Sequence, residues 1–264
     1  MRLAYTFRMI QIVDAAQALA RARKSDQKLP QWPGPKPPDL EAAYRLQQAV
    51  TRELGWTQCG WKVGCTSTKA QELLRLNGPF SAPLFAERLF QSGAHVVRAE
   101  SNSRLVEPEI AFVMRDALPE RSSPYNTAEV LAAVATVHPA LELVNPRLPH
   151  GLAEPIEWTV ADGGINDGFV LGPGVSPLSS ADYAAIQVNA RQNDVLVTTG
   201  LGSNVLGGPE RVLTWLANHL AASGRALGPG DLVTTGLLTE LVICRPGDEV
   251  SAELSGVGTV SVRL

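Results

Sequence analysis

The sequence predicts an α+β fold, a mixed and rolled sheet preceded by an N-terminal helical cap. Three observations carry this reading. The first part of the chain spaces its apolar residues as helices do. From Trp56 onward apolar residues alternate or run in short Val-rich segments, cut by Gly, Pro, Asn and Asp. Strands and helices show no regular βαβα order and no repeat of fixed period, which argues against a doubly wound sheet or an α/β barrel. The organisation expected is a helical cap region over residues 1–55 and a strand-dominated body over residues 56–264.

Taken in order, residues 10–23 place Ile12, Ala15, Ala16, Leu19 and Ala22 on one helical face. The eight residues before Met9 read as an upstream extension or a poorly ordered tail. The stretch LPQWPGPKPPDL holds five prolines and favours extended chain. A second helix is expected over 40–54, with Asp39 as N-cap and Gly55 as stop. Strands are expected near 58–65, 95–99, 104–115, 134–144, 168–172, 184–190, 194–199, 231–236, 239–245, 248–254 and 257–263. Helices interrupt them at about 67–76, 127–133 and 209–222. Asn126 with Glu129 forms a capping-box pattern, and Pro209 suits a first helical turn. Val212, Leu213, Leu216 and Leu220 make a core stripe on the last helix.

The composition excludes several functional classes. Of 264 residues, 45% are hydrophobic and 19% charged, with net charge −3, which is ordinary for a globular protein and gives no basic surface for nucleic acid. No apolar run is long enough to span a bilayer, and MRLAYTFRMI lacks a signal-peptide core, so a cytoplasmic location is expected. Cys59, Cys65 and Cys244 form no CxxC pair and fit a reducing compartment. Gly200-Leu201-Gly202 starts a dinucleotide fingerprint, but Val205 stands where its last glycine belongs. There is no GxSxG elbow, and His95, His138, His150 and His219 show no metal-ligand spacing.

The chemistry concentrates in Arg104-Leu105-Val106-Glu107-Pro108-Glu109-Ile110-Ala111-Phe112-Val113. In a strand, residues two apart share a face, so Glu107 and Glu109 stand side by side where the strand enters the core. Two like charges there repel and lose hydration, and a hard divalent cation offsets both costs. Pro108 cannot donate a ladder bond, which places the strand at an edge or a bulge. A solvated acidic edge is the alternative for this pair alone. Glu142, inside the apolar run Pro139-Ala140-Leu141-Glu142-Leu143-Val144-Asn145, adds a third acid that would be buried only if paired. Lys62, in Cys59-Gly60-Trp61-Lys62-Val63-Gly64-Cys65, is either a snorkelling edge lysine or a cation that holds a substrate carboxylate or enolate oxygen.

The segments GWKVGCTS, VEPEIAFVM, ALELVNPR, DGGINDGFVLGP, NVLGGPERVLTWLANHL and GDLVTTGLLTEL follow one another in this order. As a set they resemble the 2-oxopent-4-enoate hydratase and 4-oxalocrotonate decarboxylase family of the fumarylacetoacetate hydrolase superfamily, from about residue 10 to the end. The resemblance implies a mixed β-roll and bound Mg²⁺ or Mn²⁺. It carries the metal ligands onto Glu107, Glu109 and Glu142, and catalytic roles onto Lys62, as a substrate-contacting lysine, and onto Asp162, which opens DGGIND at a pocket position. It also implies a homo-oligomer acting on small 2-oxo acids from aromatic meta-cleavage. The expected reaction is hydration of a 2-hydroxypenta-2,4-dienoate-like acid. Decarboxylation of a 2-oxo-hexenedioate is the alternative, for which Arg75 or Arg147 would hold the second carboxylate, and a non-catalytic partner subunit is a third possibility. Two departures touch the pocket wall. Leu76-Asn77-Gly78-Pro79-Phe80-Ser81 has no acid where family hydratases often carry one, and Leu237-Leu238-Thr239-Glu240 replaces a turn that usually stays small. Phe80, Leu84 and Phe85 are read either as a lid or as core.

Overall fold

Asp39 and Gly55 bound the second helix as the sequence predicts. A computed structural model, which describes residues 2–99 and 102–264, places α1 at Arg2–Lys24 and α2 at Leu40–Leu54. The Asp39 carboxylate accepts from the Ala42 amide, and Gly55 takes the left-handed conformation that ends the helix. Residues 2–8 continue α1. Ala16 and Leu19 of α1 share an apolar cluster with Leu46 and Val50 of α2 and with Trp158.

The strands are β1 (Gln58–Gly64), β2 (Phe80–Phe85), β3 (Leu89–Gln91), β4 (Ala94–His95), β5 (Leu105–Met114), β6 (Val134–Val144), β7 (Asn166–Leu171), β8 (Gln187–Gln192), β9 (Val195–Leu201), β10 (Leu232–Thr234), β11 (Val242–Ile243), β12 (Glu249–Leu254) and β13 (Gly258–Arg263). The helices between them are α3 (Thr68–Leu74), α4 (Thr127–Ala132), α5 (Ile156–Ala161), α6 (Ser180–Tyr183) and α7 (Pro209–Ala222). Asn126 and Glu129 form a complete capping box on α4, and Pro209 opens α7.

Two mixed sheets result. The larger runs β2-β1-β10-β5-β6-β7-β3, with β11 added to β5, and the smaller runs β4-β13-β12-β8-β9. The two ends of the larger sheet, β2 and β3, are joined by only three residues, Ala86–Arg88. So short a link forces the sheet to curl, and β2 comes into contact with β7. One face, carrying Val63, Ile110, Phe112, Leu141 and Val170, packs with Val188, Val250, Ala252 and Val260 of the smaller sheet and with Val212, Leu213, Leu216 and Leu220 of α7. The opposite face holds an enclosed layer of Leu84, Ala111, Ala140, Phe169 and Leu232.

Several elements depart from the sequence reading. β2 and β3 lie where no strand is expected: FSAPLF is buried at every position and shows no alternation, and β3 is only three residues long. Phe80, Leu84 and Phe85 are therefore strand residues packed in three different clusters and form no lid. The six-residue α5 is too short for its periodicity to register. The expected strand over 239–245 shrinks to Val242–Ile243, and part of 184–190 precedes β8 as a turn after α6. Among the described residues no helix is long and apolar enough to cross a membrane.

Candidate metal centre

β5 and β6 pair antiparallel from Leu105 opposite Val144 to Met114 opposite Val134, and this register builds the site. Glu107 lies directly opposite Glu142. Glu109 shares the face of Glu107, and so does Ala111, which pairs with Thr234 of β10; Thr234 in turn pairs with Lys62 of β1. Residues far apart in sequence thus converge inside the curl of the larger sheet.

Pro108 is accommodated by an interruption in the ladder. On one flank of β5, β11 pairs with Leu105 and Val106, and β10 pairs with Ala111 to Val113. The Pro108 carbonyl points into the gap between them, where it accepts from the Leu238 amide. The nitrogen and carbonyl of one strand residue point to the same flank, so the absent N–H removes no ladder bond.

One oxygen from each of Glu107, Glu109 and Glu142 lies within 4.8 Å of the others. Glu109 and Glu142 are wholly buried, Glu107 is half-buried, and Lys62 is 4% exposed. The Lys62 ammonium donates to Glu142 Oε1 at 2.9 Å and to the Gly164 carbonyl at 3.2 Å. Asn166 Nδ2 donates to the same Glu142 oxygen at 2.9 Å. The Gly236 amide donates to Glu109 Oε2 at 2.7 Å. Gly236 has φ 94°, and a Cβ there would stand 2.1 Å from Thr66 Oγ1, so only glycine brings this amide so close. One oxygen on each buried acid, Glu109 Oε1 and Glu142 Oε2, is left with no partner.

The electrostatics follow from this crowding. Burial, reinforced by the Glu142 carboxylate and opposed by Lys62, pushes Glu107 up to about 7. Burial also raises Glu109, with Glu142 and Glu107 adding to the effect. Burial alone would pull Lys62 down, but the carboxylates of Glu142, Glu107 and Glu109 outweigh it and raise its pKa, so the ammonium stays charged. One lysine faces three acids, one oxygen of each carboxylate lies near the others, and two buried oxygens lack a partner, an arrangement that a hard cation would complete. The residues fit a divalent ion on these grounds.

Asp162 is buried and is not one of the three clustered carboxylates. Its Oδ2 accepts from the Arg147 amide at 3.4 Å, and the Arg147 guanidinium lies 3.8 Å from Oδ1. Burial raises its pKa against the pull of Arg147 and Arg23. Its carbonyl accepts from the Ile165 amide, closing the turn that presents Gly164 to Lys62. Arg147 is also buried, and donates to Asp167 and to the Asn145 and Asn166 carbonyls. Arg75 is exposed at the C-terminal end of α3. Asn166, Asp167 and Arg23 escaped the sequence reading. Asn166 and Asp167 open an apolar strand, the same signal that marks Glu142, whereas Arg23 reads as an ordinary basic residue in a last helical turn. Phe80, at the end of the loop expected to touch the pocket wall, has its ring centroid 5.9 Å from Lys62 Nζ.

A family profile described as Fumarylacetoacetate (FAA) hydrolase C-terminal matches residues 76–264. The chain belongs to the fumarylacetoacetate hydrolase family. Within this family it is 32% identical over 227 residues to 2-keto-4-pentenoate hydratase 1 of Dechloromonas aromatica (strain RCB), covering 84% of this chain and 85% of the relative. It is 33% identical over 233 residues to 2-hydroxyhexa-2,4-dienoate hydratase of Comamonas testosteroni, covering 85% and 86%. Among solved structures, 4-oxalocrotonate decarboxylase from Pseudomonas putida G7, complexed with magnesium and adipate, superposes with a TM-score of 0.85 at 24% identity over 97% of both chains. That likeness establishes the shared α+β fold of mixed sheets and helices.

Proposed function

We propose that the protein is a divalent-metal-dependent lyase that adds water to 2-hydroxypenta-2,4-dienoate-like 2-oxo acids, with Glu107, Glu109 and Glu142 as ligands of Mg²⁺ or Mn²⁺. The observation that carries this reading is the pair of unpartnered, fully buried oxygens, Glu109 Oε1 and Glu142 Oε2, beside Glu107. The curated relatives at 32–33% identity are a 2-keto-4-pentenoate hydratase and a 2-hydroxyhexa-2,4-dienoate hydratase, and they support the reaction type. A bound divalent cation supplies Lewis-acid polarisation of a 2-oxo acid.

The chain's own residues supply the rest. Lys62 spends two of its three N–H groups on Glu142 and Gly164, leaving one to hold a developing negative oxygen on the substrate. Asp162 fixes the turn that aims the Gly164 carbonyl at Lys62. The side chains next to the acids on the same face are Ala111, Ala140 and Phe169, which suit an uncharged tail and exclude water from it. A distal carboxylate would need a free cation. Arg147 is engaged by Asp167, and Arg75 faces solvent, so hydration is favoured over decarboxylation.

In this reading the curled sheet is a β-roll, residues 1–55 form its helical cap, and residues 56–264 form the metal-binding catalytic domain. The protein acts as a cytoplasmic homo-oligomer. The test offers 2-hydroxypenta-2,4-dienoate and 2-oxohex-3-enedioate with Mg²⁺ or Mn²⁺. Loss of diene absorbance without gas is expected. Carbon dioxide release from the diacid would establish a decarboxylase, and failure to bind either metal would point to a non-catalytic subunit. Glu107→Gln is expected to abolish metal-dependent turnover with the fold intact, and full activity in that variant sinks the ligand assignment.

A further inference from the structure

Glu142 Oε1 receives two donors, and only one of them, Lys62, belongs to the machinery described above. We propose that Asn166 is a positioning residue that fixes the Glu142 carboxylate so that its other oxygen faces the cation; this rests on the metal reading above.

The amide orientation is settled by its partners. Asn166 Nδ2 donates to Glu142 Oε1 at 2.9 Å and to the Gly168 carbonyl at 3.3 Å. Both partners are acceptors, so only the NH₂ end can face them. Lysine is a point charge on a flexible stem and cannot alone set the rotation of a carboxylate. Asn166 is short, buried, and opens β7, where its backbone pairs with Val144 of β6. Its own carbonyl accepts from the guanidinium groups of Arg147, at 3.2 Å, and Arg23 of α1. Arg147 also holds Asp167, the next residue, as do Arg88 and Arg98. The backbone of Asn166 is therefore clamped while its side chain reaches the acid. With Oε1 saturated by two donors, Oε2 is the oxygen left over, and it is the one without a partner. Outer hydrogen bonds of this kind set ligand geometry and typically govern metal affinity.

The test uses the full chain and Mn²⁺ alone, titrated by calorimetry, with thermal unfolding in the absence of metal as the control for folding. Asn166→Ala is expected to weaken Mn²⁺ binding by roughly 10- to 100-fold. Asn166→Leu keeps nearly the same volume without the amide donor and adds no charge, so it carries the test if the alanine variant does not fold; it is expected to weaken binding by a similar factor. Glu142→Gln is titrated in parallel. If the wild type fails to bind Mn²⁺, or if Glu142→Gln binds as the wild type does, the metal reading itself fails. If Glu142→Gln loses the metal while a folded Asn166 variant keeps the wild-type affinity, the positioning role is overturned and the metal reading stands.

Discussion

At the scale of single residues, Lys62 and the proposed cation would share one task, neutralising Glu142, Glu107 and Glu109. Lys62→Met leaves Glu142 buried with one oxygen bonded only by Asn166, and removing one partner of a buried pair typically costs about 3–5 kcal/mol. The metal-free variant should therefore melt well below the wild type. Added Mn²⁺ should raise its melting temperature more than it raises that of the wild type, because the ion then supplies all of the missing charge. Equal increments in the two proteins would show that lysine and metal do not share the same field. Gly164 tests the other contact of Lys62. It has φ +65°, and a Cβ there would stand 2.9 Å from the Phe80 ring and 3.2 Å from Lys62 Cδ. Gly164→Ala is expected to cost about 1–3 kcal/mol in urea unfolding and to lower turnover, through backbone strain and a displaced lysine. A variant with wild-type stability would mean that the Phe80 ring yields freely.

At the scale of elements, what the sequence makes legible is whatever one residue type decides locally. Asp39, Gly55, the Asn126–Glu129 box and Pro209 all act within one helical turn, and the structure places each of them as expected. β2 was not legible because burial on both sides erases its period, and α5 because six residues hold less than two turns. The meeting of Glu107, Glu109 and Glu142 could be suspected from acids set among apolar residues. The part played by Asn166 could not, since it depends on the β6–β7 register. Helix α7 adds a test of its own. His219 stacks on Trp215 at 4.7 Å and packs against Tyr44 of α2. Burial, and then the Arg225 guanidinium, lowers its pKa. A base whose folded pKa is depressed stabilises the fold fully above its unfolded value, about 6.5, and that contribution is lost as the pH falls through the folded value. His219→Phe keeps the stack without the proton. Its urea midpoint should change less between about pH 7.5 and 5 than that of the wild type, and parallel curves would refute the assignment.

At the scale of the whole molecule, the carboxylates are held by parts of the chain that are remote from one another. β5 and β6 carry the acids, β1 brings Lys62, the turn after β10 brings the Gly236 amide, and α1 reaches in with Arg23 to the strand that carries Asn166. An unfolded chain has no such constellation, so the free energy of metal binding becomes free energy of folding. At a free Mn²⁺ concentration 100 times its dissociation constant, the gain is about 2.7 kcal/mol. For a chain of this size each kcal/mol moves the melting temperature by roughly 2–4 °C, so saturation should raise it by about 5–10 °C. Chelation should reverse the rise, and Glu107→Gln should abolish it, with the metal-free melting temperature of that variant at or above the wild-type value, because the substitution removes one of three mutually repelling acids. A calorimetric scan with and without Mn²⁺ reads all of these quantities. A melting temperature indifferent to Mn²⁺ in the wild type would show that the three acids do not form a site specific to the folded state.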